Sequence, residues 1–251
     1  MFLALKKRLL TVSVQTAIGL ILSIGSLETR PAHADYQPPS EPSAPAGGTS
    51  TAGTRGGCSG NSEAGLTVLA PLSYAGQTVS TRPTFIWFVT DTQSYPLEFR
   101  LYQEGSGRRQ LLRKVQMQSQ SGLMKFSLPP SQPELQPGKL YSWQVILTCN
   151  PNHPSQDLVA SATLQILPFP ATLRSQLNSA KSEIERAELY AKNSFWYDAI
   201  AEVTQPNPSI AVKQLQHSLL NDLAKSEKET PQLGAIIQEQ KARLQQLATL
   251  K

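Results

Sequence analysis

Between Leu66 and Leu167 apolar residues recur at every second position in short runs, the period of a strand buried on one face. Phe85, Trp87 and Val89 fall on one side of such a run and Ile86 and Phe88 on the other; Tyr141, Trp143 and Val145 alternate with Ser142 and Gln144. Seven runs result: Leu66 to Leu69, Thr84 to Val89, Leu97 to Gln103, Gln110 to Gln118, Leu123 to Leu128, Lys139 to Thr148 and Leu158 to Leu167. Glu104-Gly105-Ser106-Gly107 and Gln136-Pro137-Gly138 divide them with residues suited to tight turns. Beyond Pro168 and Pro170 the rhythm changes to steps of three and four. Leu173, Leu177, Ala180, Ile184, Ala187 and Tyr190 make one apolar stripe, which predicts a single helix of about five turns with Lys181, Glu183, Glu185 and Arg186 off the stripe. A short helix from Phe195 to Val203 follows, stopped by Pro206 and Pro208, and two more are expected at Ile210 to Ser226 and Leu233 to Leu250.

The first 60 residues carry a different pattern. Lys6, Lys7 and Arg8 precede an apolar run from Leu9 to Ile24, and Pro31-Ala32-His33-Ala34 places small residues where a signal peptidase cuts, so cleavage after Ala34 is expected. An uncleaved anchor is the competing reading, weakened by Thr11, Ser13, Gln15, Thr16 and Ser23 within the run. Residues 35–60 are built from Pro, Ser, Gly, Ala and Thr and are expected to be a disordered tether. The division is thus 1–34 signal peptide, 35–60 tether, 61–168 β domain and 169–251 helical region. Loss of residues 1–34 removes Lys6, Lys7, Arg8 and Arg30 against Glu28 alone, taking the formal charge from +5 to +2. That balance argues against a nucleic acid partner.

The strings Arg82-Pro83-Thr84-Phe85-Ile86-Trp87 and Leu135-Gln136-Pro137-Gly138-Lys139-Leu140-Tyr141-Ser142-Trp143-Gln144-Val145 resemble the fibronectin type III pattern. The resemblance implies an N-terminal fibronectin type III or immunoglobulin-like antiparallel β-sandwich, followed by a C-terminal α-helical hairpin region, an α+β chain in two segments. Ala187-x-x-Tyr190-Ala191-x-x-x-Phe195-Trp196-Tyr197-Asp198-Ala199-Ile200 is similar to one tetratricopeptide unit, which Pro206 cuts short. The Thr54-Arg55-Gly56-Gly57-Cys58 string, Leu69-Ala70-Pro71, the Arg82–Trp87 strand and Phe195-Trp196-Tyr197-Asp198-Ala199 together resemble exported cyanobacterial proteins grouped as domain of unknown function 928. That resemblance spans 54 to about 250 and implies an extracytoplasmic location, with no reaction, ligand or catalytic residue.

Candidate chemistry is sparse. Cys58 and Cys149 are the two cysteines, and in an exported chain they are expected to form a disulfide; a metal site lacks the paired ligand spacing zinc uses. His153 lies in a Pro/Asn-rich loop and His217 on a helix surface. Glu63, Asp91, Glu98, Glu104, Glu134 and Asp157 are scattered without a dyad motif, and no nucleophile elbow, phosphate loop or calcium loop is present. Tyr190, Phe195, Trp196 and Tyr197 have two readings, an exposed aromatic platform for sugar rings or a peptide, and interhelical core. Arg108 and Arg109, with Arg113 and Lys114, form the one basic cluster, either a solvated strand face or a site for an anionic polymer. The function expected is an exported, non-catalytic binding or scaffolding role at the cell envelope. It would need no cofactor and no metal, would have a protein or envelope polymer as partner, and would have no stable membrane insertion once the signal is cut. An envelope hydrolase or a membrane-anchored regulatory partner is the alternative.

Overall fold

The computed structural model describes residues 34–46, 57–59, 65–105, 108–231 and 233–249. Residues 1–33 of the expected signal peptide, Thr54-Arg55-Gly56, Glu63, the Ser106-Gly107 tip and Leu250 lie outside the described residues. Eight strands are present among the described residues: β1 (Leu66–Val68), β2 (Gly76–Thr78), β3 (Thr84–Val89), β4 (Pro96–Gln103), β5 (Gln110–Gln118), β6 (Gly122–Ser127), β7 (Leu140–Leu147) and β8 (Leu158–Ile166). They form a three-stranded sheet, β1-β3-β6, and a five-stranded sheet, β2-β8-β7-β4-β5. Every pairing is antiparallel except that of β2 with β8.

The period-2 rhythm decides which side chains lie between the sheets. Phe85 and Trp87 from β3 meet Phe99 of β4 and Trp143 of β7, with Phe85 to Phe99 centroids 5.0 Å apart and Phe85 to Trp143 5.3 Å. Rings at these separations add edge and offset attraction to the area they bury. At the turn before β7, the Gln136 N–H donates to the Tyr141 hydroxyl at 2.9 Å, and Gly138 takes a φ of +80°, which glycine adopts without strain. Against the expected seven strands, β2 is the addition. It is three residues long and contains glycine, too short to show a period. A β-carbon on Gly76 would approach the Tyr197 ring to 2.8 Å, so the residue's smallness lets the strand run there.

Five helices follow: α1 (Ala171–Ser179), α2 (Glu183–Lys192), α3 (Trp196–Val203), α4 (Ile210–Ser226) and α5 (Gly234–Leu247). The chain is therefore a mixed α+β protein. The single helix expected from Leu173 to Tyr190 is two. Ser182 starts the second, its hydroxyl accepting from Glu185 N–H, and the Glu185 carboxylate accepts from Lys181 N–H at 2.7 Å. The apolar stripe runs through this break because side-chain period does not report backbone continuity, whereas a serine cap starts a new helix locally.

Helices α2 to α5 join the sheets in one apolar core that crosses residue 168, while Leu173 of α1 packs in a smaller cluster with Val79 and Phe195. From α3, Trp196 Nε1 donates to Leu69 O at 2.8 Å. The Tyr197 hydroxyl reaches the β8 carbonyl of Thr163 at 3.1 Å while accepting from Trp143 Nε1 at 2.8 Å. The Asp198 carboxylate accepts from Val79 N–H at 3.0 Å. From α5, Gln240 Nε2 and Arg243 Nη1 donate to the carbonyls of Val68 and Leu66, covering the free edge of β1 that would otherwise invite another strand.

The expected tether is anchored to the fold over 35–46, as is Ala34, the last residue of the expected signal peptide; Ala34 and Tyr36 are buried. Ala34 N–H donates to Ser218 Oγ at 3.1 Å and Gln37 N–H to Ala191 O at 3.2 Å; the Tyr36 ring meets Trp196 edge-on at 5.0 Å, and its hydroxyl pairs with that of Tyr74 at 3.1 Å. Further on, Ala46 N–H donates to Thr163 Oγ1 and Ser43 Oγ to Gln165 Oε1. A proline-rich segment lacks an internal ladder, but here donors and acceptors elsewhere in the chain, most of them more than a hundred residues away, supply its hydrogen bonds.

Candidate functional site

The residues singled out from sequence go to separate places. Cys58 and Cys149 are joined, their Cα atoms 5.1 Å apart. The Asp91 carboxylate accepts from the N–H groups of Cys58 and Ser59, both at 3.0 Å, and so fixes the loop that carries the bond. Gly57 takes a φ of +69°, and a β-carbon there would come within 2.6 Å of Asp91 Oδ2, which explains the glycine before the cysteine. Phe195, Trp196 and Tyr197 are buried and Tyr190 is half-buried, so these rings form core and offer no platform to a ligand. Burial raises the Tyr197 hydroxyl pKa, and burial with the charges of Asp198 and Glu202 pushes Tyr190 up to about 12.

Arg108 and Arg109 are exposed; the Arg109 guanidinium lies 4.3 Å from the Tyr102 ring centroid. Lys114 pairs with Glu98 at 2.9 Å and Arg113 donates to Gln132, so the basic cluster is divided among separate partners rather than converging. Among the described residues, no group of three or more His, Cys, Asp or Glu is placed to hold a metal ion.

A groove of about 300 Å³ lies between the outer face of the three-stranded sheet and α4. Its origin is local. In β3, Phe85, Trp87 and Val89 point between the sheets, so Phe88 points out, and the β3-β6 register sets Leu123 directly opposite it. On α4, Lys213, Gln216, His217 and Leu220 follow one another at i, i+3, i+4 and i+7, the spacing of one helix face. Leu247 at the end of α5 and Gln205 and Pro208 from the α3-α4 connection complete the lining.

Hydrogen bonds hold the wall in place before any ligand arrives. Gln216 Nε2 donates to Thr204 Oγ1 at 3.1 Å and to Val203 O at 3.3 Å, and Lys125 Nζ of β6 donates to Thr204 O at 3.0 Å. Asn207 takes a φ of +53° in the turn between the helices, and the Ser209 hydroxyl caps α4 through Val212 N–H. Lys213 and His217 are the two ionisable side chains of the lining, with no carboxylate beside them. Burial, and then the charge of Lys213, hold His217 below the usual imidazole range, which leaves it neutral at pH 7. Among the described residues no carboxylate pairs with the Lys213 ammonium.

Of these residues the sequence reading marked His217 alone, as a helix-surface group. The α4 spacing of polar and apolar residues was the available signal; the opposing Phe88 and Leu123 lie over ninety residues away. A wider and more open cleft of about 470 Å³ between α1 and α2 is lined by polar and charged side chains, among them Glu185, Glu188 and Lys192, together with Ala180 and Leu189. The model of a protein family described as Domain of Unknown Function (DUF928) matches residues 50–242. No curated protein matches the chain.

Proposed function

The chain belongs to the family Domain of Unknown Function (DUF928), and from that premise we propose that it is an exported, non-catalytic binding protein of the cell envelope whose ligand-facing surface is the groove beside α4. The observation that carries this reading is the groove's construction: an apolar floor, a wall fixed by the Gln216–Thr204–Lys125 bonds, and a cation without a counter-charge. A few oriented polar groups over an apolar floor are what small-molecule sites share. The Cys58–Cys149 bond favours an oxidising compartment, and no helix among the described residues is long and apolar enough to cross a membrane.

A fibronectin type III-like sandwich is the architecture we assign to the sheets. The β1-β3-β6 and β2-β8-β7-β4-β5 orders and the Tyr141 hydroxyl closing the turn at Gln136 support it. Cleavage after Ala34 completes the proposal. Because Ala34 is buried when the uncleaved chain folds, the peptidase must act before that segment docks, and residues 35–46 then dock in the mature chain.

Native mass spectrometry of the protein recovered from the extracytoplasmic fraction of its own cells tests the reading. The expected result is a chain beginning at Asp35 that gains about 2 Da on reduction. It should carry a small molecule that is lost when Leu123→Trp fills the groove. Retention of Met1 overturns cleaved export; a bound molecule that persists in Leu123→Trp overturns the site.

A further inference from the structure

The groove is graded along α4. Lys213 comes first, His217 one turn later and Leu220 one turn beyond that, so the polar groups sit toward the N-terminal half of the helix and the apolar ones toward its C-terminal half. Phe88 and Leu123 face this series from the sheet, and Leu247 extends the apolar part. Lys213 is exposed, so a wholly apolar occupant would leave its ammonium to water and gain nothing from it, and a sugar would leave the apolar floor poorly matched. Lys213 is the one lysine or arginine of the lining, so the second fixed cation of a fork that suits a phosphate dianion is missing.

The chemistry that satisfies both ends is a single negative charge on an apolar chain. Resting on the reading of this groove as the binding site, we propose that it takes a single-chain carboxylic acid, with the carboxylate against Lys213 and the chain along Leu220, Leu247, Phe88 and Leu123. A neutral His217 and the Gln205 amide each offer an N–H to the carboxylate oxygens. The volume of about 300 Å³ stands at the small end of ligand sites, which suits one alkyl chain and excludes a two-chain lipid.

Decanoate and the uncharged decan-1-ol, titrated into the disulfide-bonded protein and followed by the imidazole NMR signals, separate the two levels of the claim. His217 lines the groove and His153 stands exposed in the loop before β8 as an internal reference. Decanoate should shift the His217 signals saturably and leave His153 in place. Lys213→Met should weaken decanoate about tenfold, the effect of one charged contact, and leave decan-1-ol unchanged. Leu123→Trp should abolish both. Equal affinity for the acid and the alcohol, or no effect of Lys213→Met, overturns the carboxylate assignment while the groove remains a binding site. If neither compound moves His217, the groove itself is refuted; a His217 response that survives Leu123→Trp places binding elsewhere and overturns the assignment as well.

Discussion

Replacing Asp198 by Asn should remove most of a pH dependence built into the junction of α3 with the sheets. Asp198 is half-buried, and loss of solvent around its carboxyl raises it to about 7, with the Glu202 charge acting in the same direction and the Val79 N–H and Thr78 hydroxyl opposing. In the unfolded chain the same group titrates near 3.8. An acid whose folded pKa is the higher of the two binds its proton more tightly when folded. Its contribution is therefore fully present below pH 3.8 and is lost as pH rises through 7. Three units of difference correspond to about 4 kcal/mol.

Asparagine keeps an oxygen for Val79 N–H and cannot ionise, so stability at pH 8 should rise relative to wild type by several kcal/mol while stability near pH 4 changes little. Urea unfolding of both proteins, disulfide intact, across that range measures the difference. Glu227, whose pKa is also raised by burial, contributes with the same sign, and His217, whose pKa is lowered, with the opposite sign. Both cancel when wild type is subtracted from variant. A pH slope shared by wild type and Asp198→Asn to within about 1 kcal/mol refutes the argument.

Two further outcomes follow from the same structure. Tyr36→Ala removes a buried ring packed on Trp196 together with its bond to Tyr74, and should cost about 3–5 kcal/mol in urea unfolding; a change within about 0.5 kcal/mol, as for a surface site, would mean that residues 34–46 do not hold to the fold. Replacing Cys58 and Cys149 together by Ser opens a loop with a sequence separation of 91 and should cost roughly 4–5 kcal/mol on the chain-entropy account, read as a lower urea midpoint, whereas a loss below about 1 kcal/mol would show that the bond constrains little.

Local rhythm was legible wherever one face of an element is covered. The Thr84–Val89 and Gln110–Gln118 strands and the Ile210–Ser226 helix appear in the structure with the bounds their sequence predicts, the helix because Pro208 and Ser209 start it and its apolar spacing sustains it. Cysteine count and position determined the pairing, since two thiols leave a single intramolecular partner. The break at Ala180–Ser182 and the strand Gly76–Thr78 escaped. The first lies beneath an uninterrupted apolar stripe. The second is defined by its neighbour β8 rather than by any pattern of its own. Phe195, Trp196 and Tyr197 read the same as core or as platform, because an aromatic residue carries no record of what covers it; α3 docking on Leu69 and Thr163 decided the matter. Tertiary contacts likewise turned the proline-rich segment at 35–46 into an anchored strap. They also made the groove, by setting one face of α4 across from Phe88 and Leu123. The sequence by itself determined period, caps and cysteine chemistry, all of which act within a few residues along the chain. Which faces are covered, and which one was left open beside Lys213, depended on packing between segments about a hundred residues apart.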